Sequence, residues 1–172
     1  PFVAILGQSG VYVLPILGFT GAVVVLCVLS RQVLGTEKLE VLSGGLLIFA
    51  SPLLFYGTSF SEHAPAMFVQ LVAIVLLRVP PNRVPARSSA IGGALLGVSA
   101  WFRPEAAVFA GCFLAARTVI DCSMWRSIQA WAAFILGLTA FGIWNFTIYG
   151  AIGGAHAAQM PAMISLRLYE HA

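Results

Sequence analysis

Two small groups of ionisable residues interrupt a sequence that is otherwise strongly apolar. Glu62 and His63 are adjacent, and Arg103 and Glu105 flank Pro104. A histidine exchanges protons near neutral pH, and an arginine presents a planar fork of donors that matches a phosphate or carboxylate. Each group also has a structural interpretation, because Glu62 can stabilise a helix N-terminus and Arg103 can pair with Glu105 at a turn. We favour a functional Arg103, since an arginine near hydrocarbon is costly unless an anion uses it.

The composition predicts that apolar helices position these groups. Hydrophobic residues make up 60% of the 172 residues, charged residues make up 9%, and the mean hydropathy is +0.95. So few charges cannot coat a water-soluble globule, and the composition therefore indicates an all-α membrane protein. The nine Lys and Arg residues are scattered between apolar blocks, which excludes a nucleic-acid partner. The three cysteines indicate neither a disulfide framework nor a zinc site.

We expect one polytopic transmembrane helix bundle over residues 1–172. About 20 apolar residues are needed to cross a bilayer. The predicted spans are approximately 10–32, 39–58, 61–78, 88–102, 104–117 and 126–148, and they are followed by an external loop over 149–172. Because no charged leader region precedes the first apolar run, we treat the chain as a fragment whose gene product starts before Pro1.

The segment 88–117 permits two structures, since Arg103-Pro104-Glu105 lies at its centre. It can form one long span with a charged middle or a short helical hairpin. Proline lacks a helix donor and disfavours helix at the residue before it, while Pro followed by Glu is typical of a helix start. This chemistry favours the hairpin, although each arm is shorter than a full crossing.

The distribution of positive charge predicts the orientation. The hairpin places seven of the nine Lys and Arg residues on one side and two on the other, whereas a single span gives six against two. Both alternatives make the 31–38 turn and the 79–87 loop cytoplasmic and the 57–63 corner external. The hairpin also gathers the candidate substrate-binding residues on the external side, and these are Glu62, His63, Arg103, Glu105 and His156.

The order of these features resembles the GT-C superfamily of membrane glycosyltransferases, which includes the protein O-mannosyltransferases and the lipid A aminoarabinose transferase. The matching stretches are 10–35 with its Ser30-Arg31 exit, 51–63 ending in Glu62-His63, 97–105 ending in Trp101-Phe102-Arg103-Pro104-Glu105, and 145–156 with its Gly153-Gly154-Ala155-His156 turn.

This resemblance implies inverting transfer of a sugar from a polyprenyl-phosphate donor to an acceptor at the extracytoplasmic face. It implies membrane lipids and a lipid-linked sugar donor as partners, and a bacterial inner membrane with the site facing the periplasm or exterior. The general base of such enzymes is an Asp in the loop after the first span, which we expect upstream of Pro1, because Asp121 is predicted to be cytoplasmic. The acceptor is unassigned, and a divalent metal is left open.

Two other classes compete with the enzyme. A transporter typically has its site near the bilayer midplane, and an unbroken helix through Arg103 would favour that class. A non-catalytic membrane subunit is the second alternative, and the external ionisable residues argue mildly against it. Gly93 and Gly97 have the spacing of small residues that lets two helices approach closely, and we expect them to pack within the protein.

Overall fold

The computed structural model describes residues 7–34, 37–49, 52–58, 62–78, 86–120 and 123–152. These residues form an all-α fold, and the described part contains no strand. A 3-10 helix over Gly7–Tyr12 leads into seven α-helices, which are α1 Val13–Leu34, α2 Glu37–Phe49, α3 Leu53–Thr58, α4 His63–Arg78, α5 Ala86–Phe102, α6 Glu105–Ile120 and α7 Met124–Tyr149.

Within the described residues, two helical segments are long and apolar enough to cross a membrane. They are Gly10–Val33, with 24 residues, and Met124–Tyr149, with 26 residues. Helices α4, α5 and α6 have 16 or 17 residues each and are therefore only about 24 to 26 Å long, less than the roughly 30 Å of hydrocarbon.

The stretch predicted as one span over 39–58 contains two helices. Helix α2 ends at Phe49, and α3 begins at Leu53, directly after Pro52. Proline has no N–H and disfavours helix at the residue before it, which accounts for the break. The backbone N–H of Tyr56 donates to the Pro52 carbonyl at 3.1 Å, so Pro52 forms the start of α3.

The chain reverses direction at Pro104. Helices α5 and α7 are parallel, because Gly93 lies against Ala130 and, two turns further along both helices, the Trp101 indole N–H donates to the Gly137 carbonyl. The intervening helix α6 must therefore run antiparallel to both. The predicted helical hairpin is present, and the alternative of one continuous helix through Arg103 is excluded.

Similar contacts orient the other helices and define the two ends of the bundle. Helices α1 and α4 are parallel, since Gly18 lies against Pro65 and Gly21 against Phe68. Helix α4 is antiparallel to α5, because Leu77 near its end packs on Gly92 near the start of α5. We call the end with α3 and the α5–α6 corner the cleft end. The opposite end is the arginine end, and it carries Arg31, Arg78, Arg87, Arg117 and Arg126.

Small residues form much of the helix contact surface. A Cβ on Gly93 would collide with the Ala130 carbonyl oxygen, and a Cβ on Gly97 would lie 2.9 Å from the Phe134 carbonyl oxygen. The predicted close approach through Gly93 and Gly97 is therefore confirmed, and α7 is the partner helix. A core cluster lies where α4, α5, α6 and α7 meet, and its buried members are Ala73, Leu77, Leu96, Ala110, Leu114, Ala130 and Phe134.

Candidate functional site

The corner between α5 and α6 presents an arginine beside a carboxylate at the cleft end. Helix α5 ends at Phe102, and the Arg103 N–H still donates to the Ser99 carbonyl at 3.2 Å. The tight turn that follows lets the Ala106 N–H donate to the Arg103 carbonyl at 3.0 Å. Arg103 donates from Nε and Nη2 to the two carboxylate oxygens of Glu105 at 3.3 and 3.4 Å. The guanidinium is thus held in a two-pronged ion pair.

This ion pair is exposed, and it affects the titration of its acidic partner. The Glu105 side chain is 71% exposed and the Arg103 side chain 30% exposed. Glu105 lies at the corner, outside the two candidate membrane-crossing segments. Its own backbone N–H, and then the Arg103 guanidinium, hold the pKa of the Glu105 carboxyl below its ordinary value. Glu105 is therefore an anion at neutral pH. It pairs with Arg103, the residue that we expect to bind an external anion.

An aromatic stack forms the opposite wall of this site. The imidazole of His63, at the first residue of α4, lies parallel to the Tyr56 ring of α3, with centroids 4.0 Å apart and an interplanar angle of 8°. Such a stack fixes the histidine ring while leaving the nitrogens at its edge. The break before Pro52 makes the contact available, because it gives the short helix α3 an orientation of its own.

A glutamine links the two walls across the site. Gln70 lies two turns after His63 on α4, and its Nε2 donates to the Ala106 carbonyl in the first turn of α6 at 3.5 Å. A bond of this length is weak. It nevertheless joins the helix that carries His63 to the corner that carries Arg103.

These side chains line a cleft of about 580 Å³. Its lining is mainly apolar and includes a few polar side chains. The lining residues are Pro52, Tyr56, His63, Ala66, Met67, Gln70, Arg103, Glu105, Ala106 and Phe109. A cleft with apolar walls and a few convergent polar groups suits a ligand with a hydrocarbon part and one charged group.

The structure brings together three of the five residues predicted from the sequence. His63, Arg103 and Glu105 all line the cleft. Glu62 is exposed and is not among the lining residues, and its carbonyl accepts the Ala66 N–H at 3.1 Å, so Glu62 occupies the N-terminal cap position of α4. His156 lies outside the described residues.

Sequence analysis missed Tyr56 and Gln70. Gln70 had a detectable signal, because it is the one polar residue in the apolar stretch 64–77 and its spacing of seven from His63 places both on one helix face. Tyr56 had no comparable signal, since its contact with His63 depends on how α3 packs after the break at Pro52.

The described cleft is better suited to binding than to self-sufficient catalysis. His63 and Glu105 can exchange protons, and Arg103 can stabilise an anion. Among the residues that the structure describes, no three His, Cys, Asp or Glu side chains are grouped as a metal site would require. Asp121 lies outside the described residues.

Comparison with known proteins gives no match, since no family model, no curated protein and no solved structure matches this chain.

Proposed function

We propose that this chain is part of a multi-pass membrane glycosyltransferase that uses a polyprenyl-phosphate sugar, and that the cleft holds the lipid-phosphate end of that donor. The observation that carries the proposal is Arg103 in the lining of a mainly apolar cleft. A polyprenyl phosphate likewise combines a charged phosphate at one end with a long hydrocarbon chain. The resemblance to the GT-C superfamily supplies the reaction, and the cleft supplies a place for the substrate.

The apolar surface supports a membrane location. Large hydrophobic side chains face outward on both candidate crossing helices, as with Leu17 at 57% and Leu136 at 71% exposure. Such a surface is costly in water and favourable in lipid. We propose that the shorter helices complete a multi-pass bundle by tilting or by locally thinning the bilayer. The positive-inside rule then makes the arginine end cytoplasmic and the cleft end extracytoplasmic, as in a bacterial inner membrane.

The chain reversal at Pro104 supports an enzyme over a transporter. It places Arg103 at the end of the bundle, where a headgroup reaches it from the membrane surface, and not in the middle of a helix. Transfer with inversion expels the lipid phosphate, and Arg103 can stabilise the negative charge that develops on it. The acceptor, the general base and any metal requirement are not assigned. For these parts of the reaction, the described cleft offers only His63 and Glu105.

The proposal is tested by lipid binding to the full protein in phosphatidylcholine nanodiscs. Polyprenyl phosphate should bind more tightly than the uncharged polyprenol. Arg103→Gln should weaken binding of the phosphate form by about tenfold or more, because a hydrogen bond between charged groups is lost, and should leave polyprenol binding nearly unchanged. Glu105→Gln should instead strengthen phosphate binding, since it removes the anion that competes for Arg103.

The matched control is Arg31→Gln, which removes the same charge at the opposite end and should preserve lipid binding. Equal affinity for phosphate and alcohol forms, or full phosphate affinity in Arg103→Gln, would exclude this use of the cleft. Sugar transfer from a polyprenyl-phosphate donor gives a second measurement. Wild-type transfer rates in Arg103→Ala would remove Arg103 from the mechanism, and wild-type rates in Glu62→Ala would agree with a capping role for Glu62.

A further inference from the structure

A second group of polar side chains lies at the arginine end, where helices α5 and α7 begin. Because these helices are parallel, their N-termini are adjacent. The first turn of an α-helix leaves N–H groups without intrahelical partners, and the helix dipole makes that end positive. Two neighbouring N-termini therefore create a positive potential that an acidic side chain usually compensates.

Both helices begin with an arginine in the place where an acidic residue is expected. Neither first turn contains an acidic residue, and Arg87 and Arg126 lie in these turns. The side chain of Ser123, at the N-terminal cap of α7, makes no capping hydrogen bond. The positive-inside rule accounts for arginines at this end of the bundle. It gives no reason for placing them on helix N-termini, where they are unfavourable.

Buried polar atoms without partners mark the same position. Ser89 is fully buried and Ser127 is 5% exposed, and neither hydroxyl has a hydrogen-bond partner. Nη1 of Arg126 is likewise buried without a partner. Buried polar groups are nearly always hydrogen-bonded, and leaving one unpaired is destabilising. A single ligand with several acceptors could pair with all three atoms.

Helical spacing places these atoms on the surface between the two helices. Ser89 is one turn before Gly93, and Ser127 is three residues before Ala130, and Gly93 and Ala130 are in contact. Each serine is the fourth residue of its helix. The two hydroxyls therefore lie on the facing sides of α5 and α7, about one turn in from their N-termini.

We propose that the paired N-termini of α5 and α7 bind a phosphate group, with Arg126, Ser89 and Ser127 as its side-chain donors and Arg87 at the entrance. Arg117 in the last turn of α6 adds a positive charge at this end. Asp121, in the following connection, lies outside the described residues. Phosphate oxygens accept hydrogen bonds from hydroxyls, guanidinium groups and helix N-termini alike. The phosphate can belong to an anionic lipid headgroup or to a soluble phosphate, and this site is separate from the cleft.

The test uses the full chain in phosphatidylcholine nanodiscs with two probes. Inorganic phosphate is titrated against chloride at constant ionic strength, and binding is followed by the thermal unfolding midpoint. In the second arm, discs containing phosphatidylglycerol are analysed by native mass spectrometry for retained lipid. A response to phosphate alone identifies a soluble anion, and retention of phosphatidylglycerol identifies a lipid headgroup. Either result supports the site, and a response in neither arm overturns it.

Two variants and one control separate a specific site from general surface charge. Arg126→Gln should raise the half-saturating phosphate concentration, or lower lipid retention, by about tenfold. Arg31→Gln removes the same charge at the same end of the bundle, and it should preserve both responses. Equal losses in Arg31→Gln and Arg126→Gln would overturn the proposal.

Ser127→Ala gives a result that does not depend on removing a charge. Without phosphate it should raise the unfolding midpoint, because an unpaired buried hydroxyl is removed. With phosphate it should reduce the gain in that midpoint. A full phosphate response in Ser127→Ala would contradict the assigned donor role.

Discussion

At the scale of single residues, the main feature of the cleft is that Glu105 and the proposed phosphate would compete for the Arg103 guanidinium. Arg103 is held by both oxygens of Glu105 in the present conformation. An exposed ion pair of this kind adds little to stability. In the proposed function, an incoming phosphate has to displace Glu105, and the ion pair meanwhile keeps the guanidinium at the cleft.

The titration of Glu105 tests whether this ion pair persists in the membrane. The pKa of its carboxyl is lowered in the folded protein. The ion pair therefore stabilises the fold at pH values above the ordinary carboxyl pKa, and this stabilisation is lost as the pH falls through the lowered pKa. In Arg103→Gln the pKa should rise toward its ordinary value without reaching it, because the Glu105 backbone N–H still favours the anion. Carbon-13 NMR titration of the carboxylate in both proteins measures the change, and identical curves would contradict the pairing.

The sequence predicted the chemistry of individual residues better than their partners. Arg103, Glu105 and His63 are recognisable because a charged or titratable residue in an apolar chain is rare. The sequence also indicated that Glu62 can stabilise a helix N-terminus, and Glu62 occupies the N-terminal cap position of α4. The stacking of His63 on Tyr56 could not be foreseen, since it joins two helices whose relative position no local pattern determines.

At the scale of helices, glycines decide which pairs approach closely. Helices α5 and α7 share a long contact surface in which Gly93, Gly97 and Gly137 bring backbone against backbone. The Trp101 indole N–H donates to the Gly137 carbonyl at 3.3 Å and closes this surface near the cleft end. Burial of apolar surface cannot select such a pairing in lipid, so the steric fit of small residues has to do so.

Replacing Gly93 by alanine should separate these two helices. The new methyl group would collide with the Ala130 carbonyl, which belongs to backbone and cannot rotate away. We expect a loss of about 1 to 3 kcal/mol in the free energy of unfolding, measured by denaturant titration in detergent.

Gly111→Ala is the matched control for this substitution. Gly111 lies inside α6 with no atom within 4 Å of an added Cβ. Alanine should therefore stabilise α6 by about 0.5 to 1 kcal/mol, through its better helix propensity. If Gly93→Ala and Gly111→Ala had the same free energy of unfolding, α5 and α7 would not be in close contact.

At the scale of the whole molecule, the bundle has two chemically different ends. One end carries the cleft with its paired Arg103 and Glu105, and the other carries five described arginines from five helices. The alternating directions of α4, α5, α6 and α7 produce this separation. If the bundle crosses a membrane as proposed, the two ends face different compartments.

Cysteine labelling tests this arrangement directly. In a protein whose native cysteines are replaced by serine, Glu62→Cys should react with a membrane-impermeant maleimide in intact cells. Gln32→Cys, exposed near the end of α1, should react only after permeabilisation. Both positions are exposed, so steric access is matched. Labelling of both residues from the same side would exclude the proposed topology.

The sequence by itself determined the helical class and the sorting of cations to one end, and it favoured the reversal at Pro104 over a continuous helix. These properties are local, because an apolar run, a missing proline N–H and a charge between spans act within a few residues. Only the tertiary structure decided that α5 pairs in parallel with α7, that Tyr56 and Gln70 join the cleft, and that two helix N-termini meet beside buried serines. Helices such as α5 carry no apolar stripe that distinguishes an inner from an outer face. Their pairing therefore follows from the fit of complementary surfaces, which forms only when the whole chain is packed.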